Sequence, residues 1–249
     1  MYDSITAQWV SVPQTDLALE AYFAYPNTDK PVPGVIVIQE IFGVNSHIRD
    51  VTERLARAGY GAIAPALYQR LAPSFETGYT EEAVVQGKAY KAQTKTEELL
   101  SDLQATLDFL YQSPQILKTG AGMIGFCFGG LVAYLGATLP EIKATASFYG
   151  AGIAHWSPGE GKPTIDYTSA IGGTLYAFFG LADASIPLTE VDLIEQRLQS
   201  ANPAHRVYRY PGADHGFFCD QRASYHPQAA QDSWHQVLHL FETLKTGEK

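Results

Sequence analysis

Ala121-Gly122-Met123-Ile124-Gly125-Phe126-Cys127-Phe128-Gly129-Gly130-Leu131 is the stretch on which the fold turns. Residues 121–125 read as a strand and 131–137 as a helix, so Gly125-Phe126-Cys127-Phe128-Gly129-Gly130 occupies a tight strand-to-helix turn. This is the nucleophile-elbow pattern with cysteine where serine usually stands. Glycines two positions either side of Cys127 remove side chains that would collide with the neighbouring strand and helix. The thiol then stands at a helix N-terminus, where the dipole favours the thiolate. The competing reading is a small buried apolar residue, a common fate of free cysteine. With 22 Gly in 249 residues, glycines flank a given cysteine in this way by chance in roughly 1% of cases, which favours the catalytic reading. Cys219 has no such frame and reads as structural or incidental.

Outward from the elbow, strands and helices alternate. Leu17, Leu19, Ala21 and Phe23 follow the period of an antiparallel strand with one buried face. Val35-Ile36-Val37-Ile38, after Pro33-Gly34, is a continuous β-branched run, as a parallel strand buried on both faces requires. Ser46 is placed to cap a helix carrying Ile48, Val51, Leu55 and Ala58, with Gly59 as its stop. A short strand at 60–64 leads into an irregular segment at 65–80, a length that suggests a functional loop. A helical pattern resumes at Glu81 and runs through Leu99, Leu100, Leu103, Leu107 and Leu110 to Ser113-Pro114. Strands at 144–149, 174–179 and 206–210 then alternate with helices at 188–198 and 228–244, around a Gly- and Pro-rich loop at 150–173. The pattern predicts an α/β protein: one doubly wound, mostly parallel sheet with helices on both faces, in a single domain over residues 1–249. In such sheets the chemistry lies beyond the carboxyl ends of the strands.

Composition narrows the partners. Lys and Arg number 17 against 26 Asp and Glu, a formal charge of −9, which argues against nucleic acid or an anionic membrane and for a small-molecule partner. Two cysteines exclude a disulfide framework, though not one bridge. Met1-Tyr2-Asp3-Ser4-Ile5 does not resemble a signal peptide, and no window approaches the roughly 18 apolar residues of a membrane helix. The expectation is a soluble cytoplasmic protein. Its oligomeric state is not legible.

A thiol nucleophile needs a base, and the base an orienting acid, in the chain order nucleophile, acid, histidine. Asp183 follows the strand ending Phe178-Phe179-Gly180, and His215 follows the next strand in Pro211-Gly212-Ala213-Asp214-His215-Gly216-Phe217. Asp214 is nearer in sequence, but adjacent side chains usually point apart, which favours Asp183. His47, His155, His205 and His226 compete poorly. His235 and His239 have a metal pair's i, i+4 spacing, yet Gln236 breaks the H-E-x-x-H pattern and a solvated helix face explains them better. No metal or other cofactor is expected. Glu40, in Gln39-Glu40-Ile41-Phe42-Gly43, projects from the buried strand towards the same loop edge. It either faces the thiol, or pairs with Arg49 or a local backbone cap. The Ile41 and Phe128 amides would form a two-donor oxyanion hole.

Gln39-Glu40-Ile41-Phe42-Gly43-Val44-Asn45, the cysteine elbow, Phe148-Tyr149-Gly150, the Asp183 loop and His215-Gly216-Phe217 together resemble the dienelactone hydrolase family of α/β-hydrolases, whose best-known activity is that of carboxymethylenebutenolidase. The resemblance covers nearly the whole chain. It implies the α/β-hydrolase fold, a Cys127–His215–Asp183 triad, and a Glu40 that contacts the resting thiol and helps generate the thiolate. It also implies two arginines for a substrate carboxylate, at positions where this chain has Gln86 and Cys219. Arg222, Arg70 or Lys88 could replace their charge, or each could be a surface charge. Tyr68, Tyr90, Tyr149 and Trp156 are candidate pocket residues, with core packing as the alternative. The expected activity is cysteine-dependent hydrolysis of small lactones or activated esters through a thioester. The rival readings are a general carboxylesterase or thioesterase, and a thiol redox or ligand-binding protein on the same fold.

Overall fold

The computed structural model describes residues 2–14 and 17–246. Met1, Thr15, Asp16 and residues 247–249, which the 1–249 span also takes in, lie outside the described residues. The strands are β1 (Ile5–Pro13), β2 (Ala18–Pro26), β3 (Val32–Ile38), β4 (Gly61–Pro65), β5 (Ile116–Phe126), β6 (Ile142–Phe148), β7 (Thr174–Gly180) and β8 (Arg206–Tyr210). They form one sheet in the order β1-β2-β4-β3-β5-β6-β7-β8. β1 and β2 are antiparallel, as are β2 and β4, and every other pair is parallel. The helices are α1 (Ser46–Arg57), α2 (Glu81–Lys91), α3 (Thr96–Gln112), α4 (Phe128–Gly136), α5 (Leu188–Ala201) and α6 (Pro227–Thr246).

The direction of winding reverses at β3. Helix α1 carries the chain from β3 one way to β4, whereas α3, α4 and α5 carry it the other way through β5 to β8. Right-handed crossovers in opposite directions put their helices on opposite faces, so β3 is buried from both sides. All seven residues of β3 are buried accordingly. The reversal opens a crevice between the carboxyl ends of β3 and β5, where doubly wound proteins bind ligands.

Three local expectations change. β1 was not apparent in the sequence because it is an edge strand with only Val12 buried, so its alternation carries almost no apolar signal. The cap of α1 is Asn45, whose side chain accepts from Ile48 N at 3.3 Å, while Ser46 Oγ donates to Gln221 at 2.8 Å. The helical run from Glu81 is two helices broken at 92–95, where Thr94 Oγ1 donates to Lys91 O at 2.7 Å. Segment 65–80 is irregular as expected and folds back on the end of β3, with Thr77 N donating to Phe42 O at 3.0 Å. Loop 150–173 contains a 3₁₀ turn at Thr164–Ala170.

Candidate active site

Cys127 joins β5 to α4 with φ 56° and ψ −116°. A non-glycine residue in this region is strained, and such strain persists only where its surroundings enforce it. They do so through close backbone approach. A Cβ on Gly125 would lie 1.9 Å from Gly129 O, and one on Gly129 would lie 2.4 Å from Gln39 O. Cys127 N is fixed to Phe148 O at 3.0 Å. Phe128 opens α4, so its N–H has no intrahelical partner and points towards the crevice end of the helix.

The strands beyond β5 deliver the remaining groups. Asp183 follows β7 and His215 follows β8, and His215 Nδ1 lies 2.7 Å from Asp183 Oδ2. The other oxygen of Asp183 accepts from Ser185 N at 2.8 Å, which fixes the carboxylate. Asp214 does not reach the ring and instead accepts from His215 N at 2.6 Å. The imidazole and the Cys127 thiol line the same cavity and interact electrostatically. Burial pushes His215 down, but Cys127 and Asp183 outweigh it and push it up to about 10.

Glu40 is fully buried, and Arg222 Nη1 donates to its Oε1 at 3.1 Å. Burial raises the Glu40 carboxyl against the opposing pull of Arg222 and His215, and the net direction is upward. Its Oε2 has no partner. Arg222 reaches this seat because Gly216 has no side chain: a Cβ there would lie 2.3 Å from Arg222 Nη1. Arg49, the alternative partner of Glu40, is bound to Glu76 and to Val44 O.

Cys127, His215 and Arg222 line a cavity of 990 Å³ with Ile41, Lys88 and Lys91, among others, whereas Glu40 and Asp183 are buried and are not part of its lining. Arg70 is not part of it and pairs with Asp102 at 2.7 Å. The candidate aromatics Tyr68, Tyr90, Tyr149 and Trp156 are not part of its lining either. Tyr68 is buried, stacks on Phe128 at 5.7 Å and donates to Gly87 O at 3.3 Å. Tyr149 is buried edge-on to His215 at 5.2 Å with its hydroxyl unpartnered. Tyr90 packs against Tyr68 and Phe75. Their apolar bodies support the wall from behind, as core packing would have it. Sequence reasoning missed Lys91 and Tyr79, which do line the cavity; a helical lysine reads as solvent-facing, and Tyr79 lies in an irregular loop. Cys219 is buried, donates to Tyr79 Oη at 3.2 Å, and is pushed up to about 11 by burial.

Both cysteines are free. Among the described residues no group of three His, Cys, Asp or Glu side chains could hold a metal ion, and His235 and His239 are exposed on α6. No helix among the described residues is long and apolar enough to cross a membrane.

A family model described as "Dienelactone hydrolase family" matches residues 19–245. A "Putative carboxymethylenebutenolidase" of Synechocystis sp. is 58% identical over 234 residues, 94% of this chain and 95% of that protein. A "Probable 2-oxo-3-(5-oxofuran-2-ylidene)propanoate lactonase" of Bradyrhizobium sp. is 29% identical over 95% of this chain and 94% of its own. The crystal structure of a "Putative Dienelactone Hydrolase" from Klebsiella pneumoniae superposes with a TM-score of 0.87 at 35% identity, covering 96% of this chain and 99% of that one.

Proposed function

This chain belongs to the dienelactone hydrolase family of carboxylic ester hydrolases, and from that premise we propose that it cleaves small lactones or activated esters through a thioester on Cys127. The Cys127 thiolate attacks the carbonyl, and the oxyanion rests on the Ile41 and Phe128 amides. His215 gives a proton to the departing oxygen, then takes one from the water that attacks the thioester and releases the acid. Asp183 holds the imidazole in the tautomer this requires. Glu40 Oε2, buried and unpartnered, is the atom available to the resting thiol, with Arg222 holding the other oxygen.

The observation that supports this reading is the 2.7 Å Asp183–His215 contact beneath an imidazole that shares one cavity with the elbow cysteine. Thiolate is itself a good leaving group, so the tetrahedral adduct goes forward only when the substrate's leaving group departs readily. Enol lactones and activated esters therefore outrank simple esters and amides. The lactonase relative supports the lactone arm. A thiol redox role gains no support from Cys219, whose buried S–H is engaged with Tyr79.

The test is a panel of enol lactones, activated esters, simple esters and acyl thioesters on the wild type and Cys127→Ala. The order given above is expected for the wild type, with the variant inactive on every substrate. Activity retained by Cys127→Ala would falsify the mechanism. Preference for acyl thioesters or simple esters would make the enzyme a general thioesterase or esterase.

A further inference from the structure

The two edges of the sheet are built differently. β8 closes one side with five residues, two of them Arg206 and Arg209. A short strand and charged side chains blunt an edge whose backbone groups would otherwise pair with another chain. β1 closes the other side with nine residues, and residues 4–14 contain no Asp, Glu, Lys or Arg. Its register with β2 runs from Ile5 opposite Pro26 to Pro13 opposite Ala18 without a bulge. Among the described residues no strand pairs with its outer side.

Hydrogen bonds at the two ends of this ladder fix which backbone groups face outward. Asn27 N donates to Ser4 O at 3.0 Å, and Gln14 N donates to Leu17 O at 3.0 Å. Opposed residues of an antiparallel ladder exchange such bonds at every second pair, so the even-numbered residues of β1 are the ones bonded to β2. The N–H and C=O groups of Ile5, Ala7, Trp9 and Ser11 therefore point away from the sheet. Pro13, which has no N–H to satisfy, also falls at an outward position. Ala7, Trp9, Ser11 and Pro13 are exposed, so the edge is open to a partner. Trp9, at the centre of the strand, is 50% exposed while its ring stays edge-on to Tyr22 at 5.5 Å.

We propose that β1 pairs with β1 of a second copy of this chain, antiparallel about a two-fold axis at Trp9, joining two sheets into one. This register uses the whole strand. It sets Trp9 opposite the partner's Trp9, and Ala7 opposite the partner's Ser11, so that outward donors meet outward acceptors on both chains. Charge favours a second copy as the occupant. A chain of net charge −9 repels itself, and this edge brings no like charges of the strand together. Symmetry favours it as well, because a two-fold pairing is self-complementary and closes at two chains. The facing tryptophans supply the apolar centre on which interface energy concentrates.

Sedimentation velocity of the full chain over a range of micromolar concentrations tests the pairing. The wild type is expected at twice 27.2 kDa. Ala7→Pro removes an N–H that faces only the partner, and Trp9→Lys sets two like charges together on the axis. Each is expected to sediment at 27.2 kDa with the circular dichroism of the wild type. Trp9→Lys, a surface change, decides alone if the proline unfolds the chain. Cross-linking reads the register. In a Cys127→Ala background, Trp9→Cys is expected to form an intermolecular disulfide on mild oxidation, because Cα atoms of a hydrogen-bonded pair lie about 5.5 Å apart. Gln8→Cys is expected to form none, since its symmetry mate is a diagonal neighbour at about 7–8 Å. A wild type at 27.2 kDa throughout the range, a dimer that survives Trp9→Lys, or no bridge at position 9 overturns the proposal.

Discussion

Cys127 stands partly exposed at φ 56° at the head of α4, in a cavity it shares with His215. Cys219, four residues beyond that histidine, is fully buried and gives its S–H to Tyr79 at 3.2 Å. The side chain is the same in both places. At Cys127 the backbone is strained, a helix begins and an imidazole bonded to a buried carboxylate lies alongside. At Cys219 burial pushes the thiol up to about 11, which keeps it protonated at neutral pH. On the proposed reading, the contrast teaches that reactivity is set by what surrounds a sulfur, since both thiols lie in loops beyond the carboxyl ends of strands of one sheet.

The most severe way to break the comparison is to remove each sulfur in turn. Cys127→Ala is expected to lower kcat/KM on an activated ester by about four orders of magnitude, while Cys219→Ala changes it about twofold or less. Comparable losses would erase the distinction between the two sites. Asp183→Asn leaves the sulfur in place and removes the orienting charge, so steady-state kinetics should show a loss of about a thousandfold in kcat. Asp214→Asn, which alters only a carboxylate on the backbone of His215, should cost far less.

Proton linkage sharpens the same contrast. The folded protein raises His215 from 6.5 to about 10. The stability contributed by its protonated form is therefore complete below pH 6.5 and is lost as pH rises through about 10. Urea midpoints should fall across this window, and Cys127→Ala should flatten the fall because the thiol is the first group that raises His215. Equal slopes in the two proteins would mean that Cys127 does not hold the imidazole's proton. The smallest effect is on stability: Cys219→Ala loses a buried sulfur and its bond to Tyr79, which should cost about 1–2 kcal/mol in urea denaturation.

Much of this site can be read along the chain because its signals are local. The all-buried run of β3 and the glycines around Cys127 each declare their structure within a few residues, and Asp183 and His215 follow strands whose ends are plain. Other features depend on distant partners. β1 is an edge strand with one buried residue, so only its pairing with β2 makes it a strand. Asn45 and Ser46 are both good caps, and the choice is settled by Gln221, far along the chain, which takes the serine hydroxyl. Arg222 meets Glu40 only because the chain turns at Gly216, and Lys91 faces the cavity because α2 ends at 92–95 against loop 150–173. Tyr68, Tyr90 and Tyr149 sit behind the wall because the aromatic cluster beneath the elbow absorbs them.

The central claim is that an acyl group passes through the sulfur of Cys127. Rapid acid quench during turnover of an activated ester, followed by intact mass and peptide mapping, tests it most directly. The account predicts one acyl adduct, mapped to the peptide containing Cys127, that appears and decays at rates consistent with turnover and is absent from Cys127→Ala. An adduct on any other residue, or undiminished turnover by Cys127→Ala, would contradict it.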